Sequence, residues 1–371
     1  MAAYFVAVAV LWRHGGWSHL GVPQPSPIFL DTRSVTSAWV CHRHGVPVLA
    51  ANPCDPLGRP ANYPQLWLLP AHAGLGTSAT IPLGVAIAAA FFGAAFFVLR
   101  PRDAVDVVLT ALLLCSPAVM LGVDRGNVDL LLFAIVAAAV LISPTRPVGR
   151  ATLVLTAACL KLYPIFALGS IGTKGRRART AAFAVAVAFA VYAWLTWSDI
   201  KTIEHVVPQQ ILYSYGNDVF ATYLAGRFPG DHNVYASLLL VATLSLAVVA
   251  VGRSRHLRPK IASTALRGFE RSGFFAGAGT YIGTFLASHN FDYRFVFLLL
   301  ALPQLLSWAR AGIGAAAVAV AAALVALCVI QGPLLVLGLV AQQVLFAALV
   351  ALVLLAVQPR LGRPQFAAAS S

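Results

Sequence analysis

Charged side chains are scarce in this sequence. Only 10% of its 371 residues are Asp, Glu, Lys or Arg, whereas soluble domains carry about 25%. The shortage argues against a soluble enzyme. The chain also lacks a GxGxxG turn after a strand and a P-loop, which are the common phosphate-binding loops of nucleotide-dependent enzymes. In place of charge the chain has apolar sequence, since 60% of its residues are hydrophobic.

Long apolar runs recur along the whole chain. A helix needs about 20 apolar residues to cross a hydrocarbon core of ~30 Å, and backbone groups in lipid must pair within their own segment. We therefore predict an all-α polytopic membrane protein that forms a single domain, 1–371. The predicted spans are 1–12, 81–99, 107–123, 128–142, 180–197, 235–252, 272–288, 295–309, 312–330 and 334–357.

A further apolar stretch, 151–173, does not fit a simple crossing. Basic clusters flank both of its ends, and a crossing helix would carry one of them to the far side of the membrane. Lys161 and Pro164 lie at its centre, and proline breaks a helix there. The pattern favours a re-entrant helix pair with the sequence KLYP at its tip. One kinked crossing helix is the alternative.

The formal net charge of +14 has a topological explanation. With a cytoplasmic N-terminus, the spans place 17 of the 26 basic residues in cytoplasmic loops and eight outside, with Lys161 between them. This asymmetry follows the positive-inside rule, so no nucleic-acid partner is expected. The long outer segments are 13–79 and 198–233, and 358–371 forms a cytoplasmic tail.

Polar side chains concentrate at the predicted outer ends of the spans, although charged groups near a membrane are costly and usually functional. Simpler interpretations stay open for each group, such as helix capping by Asp124 or Asp129 and a local pair between Asp292 and Arg294. The groups are Asp31; Asp124, Arg125, Asn127 and Asp129; His289, Asn290, Asp292 and Arg294; and Asp55, Arg59, Asn62, Tyr63 and Trp67.

Two of the five cysteines, Cys41 and Cys54, share the first outer segment. They can form a disulfide in an oxidising compartment. Together with His42 and His44 they offer zinc ligands, but the spacing matches no standard zinc pattern. We therefore expect no metal.

The sequence resembles the glycosyltransferase 87 family, bacterial membrane enzymes of the GT-C class that use polyprenol-phosphate sugars. The segment RGN-x-D-LL followed by K-x-YP is the more specific part of the resemblance. The segments that carry it are FLD (29–31), NPCDPLGRPANYP (52–64), SPAVMLGVDRGNVDLL (116–131), KLYP (161–164) and SHNFDYR (288–294). The resemblance implies a GT-C-like bundle of about 10–11 transmembrane helices.

The resemblance also implies a reaction. A sugar, with mannose as one candidate, passes from polyprenyl phosphate to a glycolipid or glycan acceptor on the non-cytoplasmic face of the bacterial inner membrane. Asp31 occupies the position of the family's catalytic aspartate. A glycosyl phosphate is already activated, so we expect neither a metal nor a cofactor. The expected partners are membrane lipids, the lipid-linked donor and the acceptor, and the oligomeric state is left open.

Chemistry and position suggest roles for the other polar residues. Cations stabilise a leaving phosphate, and carboxylates and amides bind sugar hydroxyls. The predicted phosphate partners are Arg294, Arg125 and Lys161, and the predicted sugar or acceptor contacts are Asp124, Asn127, Asp129, Asn62, Tyr63, His289 and Asp292. A transporter or flippase of lipid-linked saccharides is the alternative, which would require ionisable residues in both leaflets.

Overall fold

The fold is all-α and polytopic, as the sequence predicts. A computed structural model describes residues 27–172, 175–207, 209–264, 268–287 and 289–357, together with Ser18 and Val22. The predicted span 1–12 and the predicted tail 358–371 lie outside these residues. In the described part, four helices are long and apolar enough to cross a membrane: Thr77–Leu99, Arg176–Leu195, His232–Ser254 and Leu335–Val357.

The first half of the chain is a succession of helices with short connections. Its α-helices are α1 Leu30–Arg43, α2 Thr80–Leu99, α3 Ala104–Leu114, α4 Pro117–Arg125, α5 Val128–Leu141, α6 Pro147–Leu160 and α7 Arg176–Leu195. Three 3₁₀ helices, Gln65–Ala73, Thr77–Ala79 and Tyr163–Ile171, lie between them.

In its described residues the second half adds eight α-helices, two 3₁₀ helices and one small pair of strands. Its α-helices are α8 Trp197–Val206, α9 Asn217–Ala225, α10 His232–Ser254, α11 Arg258–Ser263, α12 Gly268–Ala287, α13 Leu298–Arg310, α14 Gly314–Cys328 and α15 Leu335–Val357. The 3₁₀ helices are Arg255–Leu257 and Asp292–Phe297, and the strands are β1 Ser214–Tyr215 and β2 Asn290–Phe291.

The predicted span over 107–123 is not one continuous helix. Helices α3 and α4 occupy this stretch and are bent by 50° relative to each other. Pro117 begins α4, and Ser116 before it has an extended backbone. Proline lacks a backbone N–H and disfavours helical conformation in the preceding residue, so the chain bends there. Together the two helices can form a fifth, broken span.

The described part of the predicted re-entrant stretch, 151–172, turns back on itself, as predicted. Helix α6 ends at Leu160, Lys161 is extended, and the 3₁₀ helix Tyr163–Ile171 returns. At the base of the pair, Nη1 of Arg150 donates a hydrogen bond of 2.9 Å to the carbonyl of Ser170. The two ends of the stretch therefore lie together, and Lys161 occupies the tip.

Glycines on α12 let this pair approach closely. A Cβ at Gly279 would collide with the carbonyl oxygen of Phe166, and one at Gly283 would collide with its ring. On another part of α12, Gly273 and Gly277 lie equally close to the backbone of α13 and the 3₁₀ helix before it. Small residues at this spacing allow backbones to touch in membrane helix packing.

The first outer segment is more ordered than its Pro- and Gly-rich sequence suggests. It contains α1, and a disulfide joins Cys41 on this helix to Cys54. The indole of Trp39 donates to the carbonyl of Trp67, and the indole of Trp67 donates to the carbonyl of Leu160 at 2.9 Å. These contacts attach the outer segment to the tip of the re-entrant pair.

Strands β1 and β2 bring the second outer segment to the same region. They pair antiparallel, with Ser214 opposite Phe291 and Tyr215 opposite Asn290. The N–H of Asp292 extends the contact by donating to the carbonyl of Tyr213 at 2.8 Å. The segment that follows α12 is thereby held beside the start of α9.

Candidate active site

The DRGN turn joins two helices and supplies their caps. Helix α4 ends at Arg125, and Gly126 follows in the left-handed region with φ 56°, where glycine is favoured. The side chain of Asn127 then accepts a hydrogen bond of 2.8 Å from the N–H of Asp129, which caps the start of α5. This tight turn projects Arg125 and Asn127 toward one point.

Helix α1 begins at the same point. Phe29, the residue before it, has φ 55°, an unfavourable conformation for a residue other than glycine. Its ring fills the space that a Cβ at Gly84 or Gly126 would occupy. The hydroxyl of Thr32 also donates to the carbonyl of Gly126 at 2.6 Å. The strain and these contacts fix the first turn of α1, which carries Asp31.

Asp31 is buried, with 5% of its surface exposed. Its carboxylate accepts hydrogen bonds from Nε and Nη2 of Arg125 at 2.9 and 2.6 Å and from Nδ2 of Asn127 at 2.6 Å. Nη1 of Arg59 lies 3.6 Å away. Burial acts to raise the pKa of this carboxyl, but Arg125 and Asn127 outweigh it, so the pKa lies below its usual value. Asp31 is therefore held in its ionised form.

A second carboxylate centre forms at the N-terminus of α5. Lys161, at the re-entrant tip, donates to Oδ1 of Asp129 at 2.5 Å. Nε of Arg294 donates to Oδ2 of the same carboxylate at 3.3 Å, and its Nη1 donates to the side chain of Asn290. Since Asn127 contacts both Asp31 and the N–H of Asp129, the two centres are connected.

Three tyrosine rings surround the cations of the second centre. Nζ of Lys161 lies 5.3 Å from the ring centroid of Tyr63, 5.8 Å from that of Tyr163 and 5.9 Å from that of Tyr293. The guanidinium of Arg294 lies 4.7 Å above Tyr163. Aromatic faces attract cations, and rings of this kind also pack against sugars. We refer to the residues around Asp31 and Asp129 as the polar cluster.

The outer segment contributes one more ion pair to the polar cluster. Asp55 is buried and accepts from Nε and Nη2 of Arg59 at 3.1 and 2.9 Å, and from the N–H of Leu57 at 2.9 Å. Burial acts to raise the pKa of Asp55. The hydrogen bonds from Arg59 and Leu57 lower it by more, so the pKa lies below its usual value. Nη2 of Arg59 also donates to the carbonyl of Leu30 at 3.0 Å.

Some predicted site residues lie apart from these ion pairs. His289 contacts Oδ2 of Asp218 at 2.6 Å, and His232 contacts Oδ1 of the same residue at 2.9 Å. Asp292 does not pair with Arg294. Its carboxylate is buried with no hydrogen-bond partner among the described residues, and burial raises its pKa well above the usual value. The neutral form of Asp292 is thus favoured.

Asp124 and Asn62 are two further residues that the sequence predicts to contact the sugar or acceptor. Asp124 accepts a hydrogen bond of 3.3 Å from the N–H of Phe29 through its backbone carbonyl, which helps to hold the start of α1. Asn62 is half-buried next to Tyr63. The disulfide removes Cys41 and Cys54 from the zinc grouping that the sequence allowed. Over the residues that the structure describes, no three His, Cys, Asp or Glu side chains form a metal-binding group.

Several residues that contact the predicted site residues have no role assigned from the sequence. Tyr163 and Tyr293 lie inside the KLYP and SHNFDYR motifs, so their motifs were a usable signal. Arg59 follows Asp55 at a spacing of four residues within a run of turn-forming residues, and nothing in that run signals its contact with Asp31. Asp218 had no signal, because its contact with His289 depends on how β1 and β2 pair.

Comparisons with known proteins agree with the resemblance found in the sequence. No curated protein and no solved structure matches the chain. The family described as Glycosyltransferase family 87 matches residues 63–269, which include Arg125, Asp129 and Lys161 but neither Asp31 nor Arg294. This match covers more than half of the 371 residues, and the chain therefore belongs to glycosyltransferase family 87.

Proposed function

We propose that this membrane glycosyltransferase moves a sugar from a polyprenyl-phosphate donor to a lipid or glycan acceptor on the non-cytoplasmic face of the bacterial inner membrane. One observation carries the proposal. A buried carboxylate, Asp31, lies within hydrogen-bonding distance of Arg125 and in one connected cluster with Lys161 and Arg294. A base beside several cations is the arrangement that this reaction requires.

In the proposed reaction, Asp31 accepts the proton of the acceptor hydroxyl as its oxygen attacks C1 of the sugar. The bond from C1 to the phosphate oxygen breaks, and polyprenyl phosphate leaves with the electron pair. General base catalysis of this kind contributes about 10²–10⁴ in rate. Arginine and lysine stabilise the negative charge that develops on the leaving phosphate.

The charge of the polar cluster fits such a donor. Its ion pairs include four cations, Arg59, Arg125, Lys161 and Arg294, and three carboxylates, Asp31, Asp55 and Asp129. One positive charge therefore remains, and a glycosyl phosphodiester carries one negative charge. The product is a phosphomonoester with a charge of about −1.5 to −2 at neutral pH. The cations of the cluster stabilise this extra negative charge as it develops on the leaving phosphate.

The contact between Asp31 and Arg125 gives the donor a second task. A carboxylate that is paired in this way is a weak base, because its ionised form is already stabilised. A donor phosphate that binds Arg125 competes with Asp31 for the guanidinium and restores basicity to the carboxylate. We therefore expect the base to become effective only when the donor is bound.

The membrane face is proposed from the charge asymmetry of the loops, and the sugar is proposed from the family resemblance. The positive-inside asymmetry favours a non-cytoplasmic site, and mannose is the first sugar to test because of the resemblance. We include neither a metal nor a cofactor in the reaction, since a glycosyl phosphate is an activated donor. The tyrosines near Lys161, together with Asn62, are the candidate sugar contacts.

Glycan analysis and reconstitution test the function together. Mass spectrometry of lipid-linked glycans from a deletion strain should reveal an acceptor that lacks one sugar. Purified protein should then add that sugar to this acceptor from a polyprenyl-phosphate donor. A lipid-linked saccharide that accumulates unmodified on one face of the membrane, with no transfer by the purified protein, would instead support a flippase.

A further inference from the structure

Arg59 has one nitrogen that the described protein does not use fully. Its Nε and Nη2 donate to Asp55, and Nη2 also donates to the carbonyl of Leu30. No hydrogen bond is made by Nη1 within the described residues, and its 3.6 Å separation from Oδ1 of Asp31 is beyond hydrogen-bonding range. The two N–H groups of Nη1 therefore have no hydrogen-bond acceptor within the described residues, although this nitrogen lies near Asp31.

The side chain of Arg59 is more exposed than its two carboxylate partners. Its side chain is 29% exposed, whereas those of Asp31 and Asp55 are 7% and 0% exposed. Part of the Arg59 side chain is thus reachable by solvent, while Nε and Nη2 are held by a buried partner. An arginine that only fastened the outer segment would not need to direct a third nitrogen toward the candidate base.

Asp55 fixes the orientation of that guanidinium. The carboxylate engages two nitrogens at once, and the planar fork of arginine makes such a contact rigid. Asp55 is held in turn by the N–H of Leu57 and by its neighbour Cys54, which is bonded to Cys41 on α1. The pair therefore has a fixed position relative to the helix that carries Asp31.

Two guanidinium groups approach Asp31 from different segments. Arg125 donates to both carboxylate oxygens, and Arg59 lies beside the same Oδ1. Asp31 already accepts three hydrogen bonds from Arg125 and Asn127, so a tetrahedral anion with several oxygens is a suitable additional acceptor between the two guanidinium groups. Arginine is the preferred residue for bidentate phosphate recognition.

We propose that Arg59 binds the phosphate of the lipid-linked donor together with Arg125, and that Asp55 is the positioning residue of Arg59. This inference rests on the proposed function and specifies how its donor is recognised. No bond forms or breaks at Arg59. It donates hydrogen bonds to non-bridging phosphate oxygens, and these bonds persist to the leaving phosphate.

Binding of a short polyprenyl phosphate tests the proposal without turnover. The probes are farnesyl phosphate and farnesol, titrated against the purified full chain in detergent by calorimetry. Arg59→Ala should weaken farnesyl phosphate binding by about tenfold or more and leave farnesol binding unchanged. Arg59→Lys keeps the charge but not the fork and should recover only part of the affinity. Arg227→Ala, an exposed arginine outside the polar cluster, is the matched control and should bind as wild type does.

A double-mutant comparison tests the role of Asp55. Asp55→Asn should weaken farnesyl phosphate binding in the wild-type background and add nothing in the Arg59→Ala background, because both changes remove the same contact. If Asp55→Asn weakened farnesyl phosphate binding equally in both backgrounds, Asp55 would act independently of Arg59, which would overturn its positioning role.

The outcomes separate this inference from the proposed function. If the wild-type protein and a folded Arg59→Ala protein bind farnesyl phosphate equally well, the inference is overturned and the proposed function still stands. If Arg59→Ala does not fold, the same comparison is made with Arg59→Gln. No binding of farnesyl phosphate by the wild-type protein would count against both proposals.

Discussion

Arg125 donates two hydrogen bonds, of 2.9 and 2.6 Å, to the carboxylate of Asp31, although the two residues are 94 positions apart in sequence. The contact joins the C-terminus of α4 to the first turn of α1. The guanidinium balances the negative charge of the buried candidate base, and in the proposed reaction it also binds the donor phosphate. The same pair therefore predicts opposite effects of one mutation on binding and on turnover.

The first prediction concerns Asp31→Asn. We expect this change to abolish sugar transfer, because no carboxylate remains to accept the hydroxyl proton, while the protein stays folded. Farnesyl phosphate should bind at least as tightly as in wild type, because Arg125 loses its competing partner. Asp231→Asn, which changes an exposed carboxylate, is the control. Turnover that survives in Asp31→Asn would remove the residue from its catalytic role.

From the sequence, it was easier to predict which segments come together than to predict which side chains form pairs. The distribution of basic residues and the re-entrant interpretation of KLYP were sufficient to predict that the segments 124–129, 161–164 and 289–294 lie on one side of the membrane. The partners of His289 and Arg294 depended on the pairing of β1 with β2 and on the packing of α12. Such contacts between distant segments have no periodic signal in the sequence.

Two features of the fold escaped the sequence analysis for related reasons. Helix α1 lies inside a segment predicted as a loop, because it is too short and too polar to resemble a span. Its buried side chains include Thr32 and Ser34 as well as Val35 and Trp39, so its buried face mixes polar and apolar residues. The break between α3 and α4 was overlooked because apolar residues continue past Pro117, and hydropathy alone does not detect a bend.

The second prediction concerns Gly279. Alanine at this position places a Cβ against the carbonyl oxygen of Phe166, so the returning half of the re-entrant pair must move away from α12. We expect a stability loss of about 1–3 kcal/mol and reduced transfer, because the displaced segment begins next to Lys161. Gly93→Ala is the control, since open space surrounds that position and alanine favours a helix. Equal melting temperatures for the two variants would contradict the packing argument.

The third prediction concerns Arg150, which is buried without a carboxylate partner among the described residues. Its guanidinium donates to the carbonyls of Ile142 and Ser170 and to the hydroxyl of Ser272. Arg150→Met leaves these acceptors unsatisfied, and we expect a loss of about 2–4 kcal/mol in thermal or denaturant unfolding.

The neighbouring exposed arginine provides the control for this test. Arg146 precedes the same helix and makes no side-chain hydrogen bond within the described residues, so Arg146→Met should change stability little. A stability loss as large in Arg146→Met as in Arg150→Met would indicate a general effect of charge at this membrane face rather than a specific clamp.

The fourth prediction concerns the disulfide between Cys41 and Cys54. Replacing both residues with serine should lower stability by about 3 kcal/mol, the value for a closed loop of this length. It should also weaken donor binding, because Cys54 precedes Asp55 and thereby helps to hold Arg59. A reducing agent should have the same two effects on the wild-type protein. Cys328→Ser, at an exposed position, should change neither property.

The fifth prediction concerns membrane topology, which links the fold to the proposed face of the reaction. The contact between Arg150 and Ser170 brings the two ends of 151–172 together, so reporters fused after Arg146 and after Arg179 should lie on the same side. Green fluorescent protein should fluoresce at both positions, since both are predicted to be cytoplasmic. Alkaline phosphatase fused after Gly74, in the first outer segment, should be active. If the reporters at Arg146 and Arg179 lay on opposite sides, 151–173 would cross the membrane, and Lys161 could not be the tip of a re-entrant pair.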